Sequence, residues 1–323
     1  MKLVRSLALA VVALLALGPA ADLLAQSYPT RPIEFIIPFA PGGPTDTAIR
    51  LIQPALSANL GVPLVLVNKA GGGGAIGMDG VAKARPDGYT LAATVRSTLT
   101  ILPATQPDVP YKIADFAPIG TYAVDSQVVM VKSGAPWKTL EELIEHARKN
   151  PGKLTYGSAG QGTNSFFTME LLKLAFGVDL AHVPFAGSGP VKNALLGGHV
   201  QVGAAALSPM LSVVRSGDVL PLVTSATRRN PALPGVPTLT EKGQPDISLS
   251  TWAELWAPAR TPRPVLDRLA QALDKTMKDP AVVAAIEKAG LQVEHNDPAA
   301  TLKLVEREND VVRTAARKLG LVK

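Results

Sequence analysis

Four times along this chain a short apolar run, rich in β-branched residues, gives way to a cluster of small residues and then to a helical stripe. Residues 33–39 lead through Gly42-Gly43-Pro44-Thr45-Asp46 into a stripe of Ile49, Ile52, Leu56 and Leu60, ended by Gly61. Residues 62–67 lead through the glycines of 71–77 to a short helix over 76–84, and the Pro86-Asp87-Gly88 turn then precedes a strand over 89–94. The pattern returns at 153–158, with loop 158–165 and a helix over 164–176, and again at 180–185, with Gly187-Ser188-Gly189 and a helix over 190–196. Strand, small loop and helix in that order predict an α/β chain with mainly parallel sheets and right-handed crossovers. Pro54 lies inside the first stripe and predicts either a kink there or the loss of one backbone hydrogen bond.

Two such units in 323 residues predict two lobes. The apolar runs 128–131 and 222–225 bracket the second unit and read as the two crossings between lobes. Helices at 264–277, 280–289 and 298–318, each with proline in its first turn, then return to the first lobe. The expected division is 1–25 as a signal peptide, 26–124 plus 226–323 as a discontinuous first lobe, and 125–225 as the second. A cleft between lobes built this way is the natural ligand site.

The first 25 residues read as an address. Lys2 and Arg5 precede an apolar stretch over 7–17, then Gly18-Pro19 and small residues up to Ala25. That is the order of a secretory signal, and the stretch is too short to span a bilayer. Export to the periplasm is the expectation, with cleavage after Ala25 or, since Leu23 is large for the third-last position, near Ala20. The chain has no cysteine, which excludes disulfides, thiolate metal sites and a thiol nucleophile, and with them lipid anchoring through an N-terminal thiol.

Composition and motifs narrow the function. A net charge of +6 is spread along the chain without a Lys/Arg run, so no nucleic-acid partner is expected. Gly72, Gly74 and Gly77 match the spacing of a dinucleotide loop, but Val95 and Arg96 stand where the acidic ribose ligand belongs, and an exported chain has little access to nucleotides. No serine elbow, zinc helix or phosphate loop occurs, and His146, His182, His199 and His295 read as structural, so neither a catalytic residue nor a metal or other cofactor is expected. What the four loops offer instead is helix N-termini, whose unpaired N–H groups and partial positive charge suit a carboxylate.

The same stretches carry a family resemblance. Tyr28-Pro29-Thr30-Arg31-Pro32-Ile33, Pro38-Phe39-Ala40-Pro41-Gly42-Gly43 with Thr45-Asp46, and Pro86-Asp87-Gly88-Tyr89-Thr90 begin it. Asn150-Pro151-Gly152-Lys153-Leu154, Ser158-Ala159-Gly160 with Gly162-Thr163, and His182-Val183-Pro184-Phe185 with Gly187-Ser188-Gly189-Pro190 follow in order. Leu196-Gly197-Gly198, Pro231-Ala232-Leu233-Pro234 with Val236-Pro237-Thr238, and Ala257-Pro258-Ala259 complete it. Together they resemble the Bug proteins, the extracytoplasmic solute receptors of the tripartite tricarboxylate transporter family.

The resemblance implies a type II periplasmic-binding-protein fold that closes over a small organic carboxylate, with membrane permease subunits as partners, no turnover and a monomeric chain. It implies as ligand-binding residues Pro41, Gly42, Gly43, Thr45 and Asp46, then Gly74, Ala75, Thr94, Arg96 and Ser97. From the second lobe it adds Ser158, Ala159, Gly160, Gly162, Thr163, Phe166, Phe185, Gly187, Ser188 and Ala205. Many members have His where Phe166 stands, an aromatic-Lys pair where Phe185-Ala186 stands, and acidic or amide residues where Gly203-Ala204-Ala205-Ala206 stands. A second lobe so depleted of polar groups implies a mono- or dicarboxylate with an apolar or aromatic body, with Arg96 as a compensating cation. A carboxylate sensor feeding a signalling partner, an exported hydrolase and a LysR-type effector domain are the competing readings; the last needs a DNA-binding segment that this chain lacks.

Overall fold

The structure, a computed structural model, describes residues 28–321 except 107 and 248. The proposed signal peptide therefore lies outside the described residues. Two sheets organise the chain. The first has six strands in the order β11-β4-β10-β3-β1-β2, from β1 (Ile33–Ile37), β2 (Leu64–Asn68), β3 (Thr90–Val95), β4 (Phe116–Asp125), β10 (Thr251–Pro258) and β11 (Gln292–Asn296). The second has five in the order β7-β6-β8-β5-β9, from β5 (Gln127–Lys132), β6 (Thr155–Ser158), β7 (Ala181–Pro184), β8 (Val202–Ala206) and β9 (Val219–Thr224).

Parallel pairing joins β1 to β2 and β3, and β6 to β7 and β8, at the strand-loop-helix units found in the sequence. The remaining pairs are antiparallel, so both sheets are mixed rather than mainly parallel. The reason is connection: β4 runs directly into β5 from one sheet to the next, without the helical crossover that parallel neighbours require.

The helices are α1 (Pro44–Leu60), α2 (Ala75–Ala82), α3 (Ile101–Thr105), α4 (Leu140–Lys149), α5 (Asn164–Phe176), α6 (Ser188–Leu196), α7 (Leu211–Arg215), α8 (Arg263–Met277), α9 (Pro280–Lys288) and α10 (Pro298–Lys318). Pro54 sits within α1, which runs on past it as a single helix instead of breaking. The ring is exposed, so the Arg50 carbonyl left without a donor lies on the solvent side. In the first sheet's core, Phe35, Ile37, Leu91 and Leu255 meet Ile49, Ile52 and Leu56 of α1 and Leu269 and Leu273 of α8. The second sheet buries Val129, Val131, Tyr156 and Val202 against Leu143, Met169 and Leu172.

The apolar runs 128–131 and 222–225 are not crossings. The first is the body of β5, the strand between β8 and β9, and most of the second lies in β9. A buried central strand and a buried connecting segment carry the same apolar signal. The first true crossing is Ser126, between β4 and β5. After β9 the chain does not go straight back: Leu233, Leu239 and Ile247 are buried in cores of the second sheet, and Thr238 bridges to Thr224. We therefore propose the return to the first lobe at 250, not at 225. At the seam Gln127 N donates to Ser225 Oγ at 3.0 Å, Gln127 Nε2 to Thr251 Oγ1 at 2.8 Å, and Ser126 Oγ to Gln292 Oε1 at 3.1 Å. Asp125, at the end of β4, accepts from both N and Oγ of Ser208, which follows β8 in the other lobe.

Candidate ligand cleft

In the first lobe the loops after β1, β2 and β3 converge. Asn68 Nδ2 donates to Phe39 O at 2.9 Å and to Asp46 Oδ1 at 3.1 Å, which joins the first loop to the second. Thr94 and Thr98 share a hydroxyl hydrogen bond of 3.0 Å, and a Cβ on Gly74 would lie 2.9 Å from Thr98 Cγ2, so the third loop closes against the glycine turn. Gly74 has φ +107°, a conformation costly for any other residue, and it starts α2. Ala75 and Ser97 are half-buried beside it, while Pro41 and Gly42 are exposed at the rim and Thr45 is buried in the first turn of α1.

In the second lobe, Gly187 N donates to Ala159 O at 3.2 Å, Ala159 N to Ser165 Oγ at 3.0 Å, and Thr163 Oγ1 to Gly160 O at 2.7 Å. The loops after β6 and β7 thus form one wall, with Phe185 half-buried behind it and Ser188 opening α6. The two walls approach at α3: a Cβ on Gly162 would lie 3.6 Å from Thr105 Oγ1.

The helix N-termini differ in their caps. Thr139, Thr163, Asp279 and Asp297 cap α4, α5, α9 and α10 with their side chains. At α1, α2 and α6 the caps are Gly43, Gly74 and Gly187, with no side-chain hydrogen bond. At α2 the N–H groups of Gly74, Ala75 and Ile76 bond to Gly71 and Gly72 within the turn, whereas Gly43, Thr45 and Ser188 at α1 and α6 keep theirs.

Four expected ligand residues are differently employed. Arg96 is 2% exposed; its guanidinium reaches Glu254 at 2.7 Å and Glu308 at 3.5 Å and stacks over Trp252 at 4.4 Å. A guanidinium held by two buried carboxylates is not a cation for a ligand, and the compensating role expected of Arg96 is withdrawn. Asp46 accepts from Gly42 N, Asn68 and Arg50, and these bonds hold its carboxyl down at about 2. It builds the loop and stays anionic, which opposes direct contact with a carboxylate. Ala205 is buried in a core of the second sheet with Val128 and Leu195. Phe166 is buried with Ile101, Ala104 and Val312 at the seam between lobes, its ring 4.9 Å from His182.

His182 is a residue that the sequence reading left aside as structural. Its Nε2 is 2.7 Å from Ser158 Oγ, and its ring stacks 4.8 Å from Tyr156. Burial lowers its pKa. The distance is that of a nucleophile and its base. Ser158, however, is fully buried and within reach of Gly160 N, and this is the one hydrogen bond of the His182 side chain among the described residues. The pair braces the end of β6. The signal for it was the family pattern itself, since no local spacing joins residues 24 apart.

The model of the tripartite tricarboxylate transporter family receptor matches residues 48–321. The chain belongs to this family. BugT of Bordetella pertussis is 32% identical to this receptor over 292 residues, 90% of each chain. Among solved structures, Rpa4515 of R. palustris with adipate matches it with a TM-score of 0.82 and 28% identity, over 91% of this chain and 98% of that one. MatC of Rhodopseudomonas palustris with bound malate matches with a TM-score of 0.78 and 30% identity, over 89% and 99%. The receptor has the type II periplasmic-binding-protein fold, two α/β domains with mixed sheets, and the family and its structural neighbours are binding proteins. No described helix of the receptor is long and apolar enough to cross a membrane, and the described residues contain no cluster of metal-ligating side chains.

Proposed function

We propose that the receptor binds a small organic mono- or dicarboxylate in the cleft between its lobes, after export to the periplasm and loss of residues 1–25, and presents it to the permease of a tripartite tricarboxylate transporter. The observation that carries the reading is that glycine, without a side-chain cap, begins α1 in the first lobe and α6 in the second, each directly after a loop of the cleft. Backbone N–H groups of Gly43, Thr45 and Ser188 are the proposed carboxylate donors. Ser97, Ala159, Gly160, Gly162 and Thr163 line the cleft between them. Two neighbours that were solved with dicarboxylates, one with adipate and one with malate, support the ligand class.

A thermal-shift screen across mono-, di- and tricarboxylates tests this. A ligand held by the folded state alone stabilises it by about 2.7 kcal/mol at 100 times its Kd. At least one mono- or dicarboxylate is expected to raise the midpoint saturably; no shift with any of them overturns the proposal.

A further inference from the structure

The stretches that build the second-lobe wall, 157–168 and 181–189, contain no Asp, Glu, Lys or Arg, and His182 is the one side chain in them that can gain a proton near neutral pH. It stands at a junction of that wall. Its Nε2 is on Ser158 Oγ at 2.7 Å, and its ring lies between those of Tyr156 at 4.8 Å and Phe166 at 4.9 Å. Its Nδ1 makes no hydrogen bond among the described residues and is not a buried atom, so it stays open to water, the route by which a proton enters.

The bond to Ser158 accommodates both protonation states. With His182 neutral and its hydrogen on Nδ1, the Ser158 hydroxyl donates to Nε2 while its oxygen accepts from Gly160 N at 3.3 Å. With His182 protonated, Nε2–H donates to Ser158 Oγ and the serine hydrogen turns to Gly160 O, 3.4 Å away. The same atoms serve in each case, so protonation places a positive charge one hydroxyl from Gly160 without rebuilding the loop. The charged groups that face the ring come from α5: Glu170 and Lys173, which pair with each other at 3.0 Å. Glu170 also accepts from Tyr156 Oη of β6 at 2.6 Å, and Lys173 lies 3.5 Å from Asp179. Burial holds the His182 pKa below its ordinary value, Glu170 acts against that and Lys173 adds to it. Among the described residues no carboxylate forms an ion pair with His182, so its protonated form has no counter-charge of its own.

We propose that His182 is a positioning residue of the cleft whose protonation is coupled to ligand binding: it holds Ser158 and through it the Gly160 turn, and a carboxylate bound at loop 159–163 supplies the counter-charge that its protonated form lacks. This rests on the carboxylate reading above. An anion at the loop raises the pKa of His182, so affinity is higher below the pKa of the free receptor, and the gain is lost as pH rises through the pKa of the bound one. The coupling is reciprocal, and the receptor takes up protons as it takes up ligand at mildly acid pH.

The test uses the full mature receptor, labelled with carbon-13 at Cε1 of its four histidines, with malate, adipate and benzoate as probes. The His182 signal is identified by its loss in His182→Gln, whose amide keeps a partner for Ser158 but takes no proton; should that variant not fold, cross-peaks to the Tyr156 and Phe166 rings identify it. On saturation with a probe that binds, the His182 pKa is expected to rise by about 0.5 to 1. Calorimetry at about pH 5.5 and about pH 7.5 is expected to show the native receptor gaining about three- to tenfold more affinity at the lower pH than His182→Gln gains. The probe's own titration is common to both proteins and cancels in that comparison. A histidine that only braces β6 gives the same pKa free and saturated, and the same pH slope in both proteins; either result overturns the coupling while leaving carboxylate binding intact. Absence of binding by every probe at both pH values overturns the carboxylate reading itself, and this proposal with it.

Discussion

Arg96 illustrates how a residue's role is set by partners that sequence spacing cannot reveal. Glu254 and Glu308 lie 158 and 212 positions away, and both are buried with it. From the chain alone Arg96 is an unpaired cation among small residues; folded, it is the centre of an ion cluster that also takes Thr100 and Trp256 as donors to its carboxylates. Arg96→Met leaves two buried carboxyls without their cation. The expected cost is about 3–5 kcal/mol in urea unfolding, with less than a tenfold change in carboxylate affinity of the folded protein. Asp46 was legible as a residue of the loop but not in its full role, because the bond it accepts from Asn68 exists only once β1 and β2 are paired.

At the scale of elements the sequence was most informative where small residues punctuate it. The helices Asn164–Phe176 and Pro298–Lys318 end where periodicity and proline placed them, and the strands that lead into the four loops are shifted by only a few residues. β4 and β11 went unread, since Pro118 and Gly120 interrupt one and charged and polar residues fill the other. Both belong to a sheet whose order is decided by distant partners. The glycine caps make a testable distinction. Gly74→Ala forces a side chain into φ +107° against Thr98, with an expected loss of about 1–3 kcal/mol in stability and at least tenfold in affinity for the carboxylate found by thermal shift. Gly61→Ala, at φ +81° and the far end of α1 with open space around it, is expected to lower stability by about 1 kcal/mol and leave affinity unchanged. Equal losses of affinity in both variants would sever the link between the glycine caps and the ligand.

The whole molecule concentrates its buried acids near the junction of the lobes. Burial raises Asp125 to about 6 and Glu308 to about 7, and raises Glu254 as well. An acid whose folded pKa is raised keeps a proton that the unfolded chain has released, so stability falls as pH rises from about 4.5 to about 7. Glu308→Gln removes its share, and a plot of urea midpoint against pH is expected to be flatter over that window for the variant than for the native receptor. An unchanged slope would remove Glu308 as its source. Neither these groups nor their pairing is legible in sequence, because burial is a property of the assembled seam. The two-lobe plan was legible, and the course of the chain between lobes was not.

The insertion of β10 between β3 and β4 sets an order of assembly. Residues 127–224 supply every strand of the second sheet, so that sheet can form from one continuous stretch of chain. The first sheet must leave a gap beside β3 until residues 251–258 arrive, and its edge strand β11 follows later still. Contacts of such sequence separation form slowly. Until then the early strands of the first lobe present an open edge, the template for pairing with another chain. For a protein of this plan the last quarter of the chain protects the first, and truncations from the C-terminus expose β3 and β4 long before they reach the loops of the cleft.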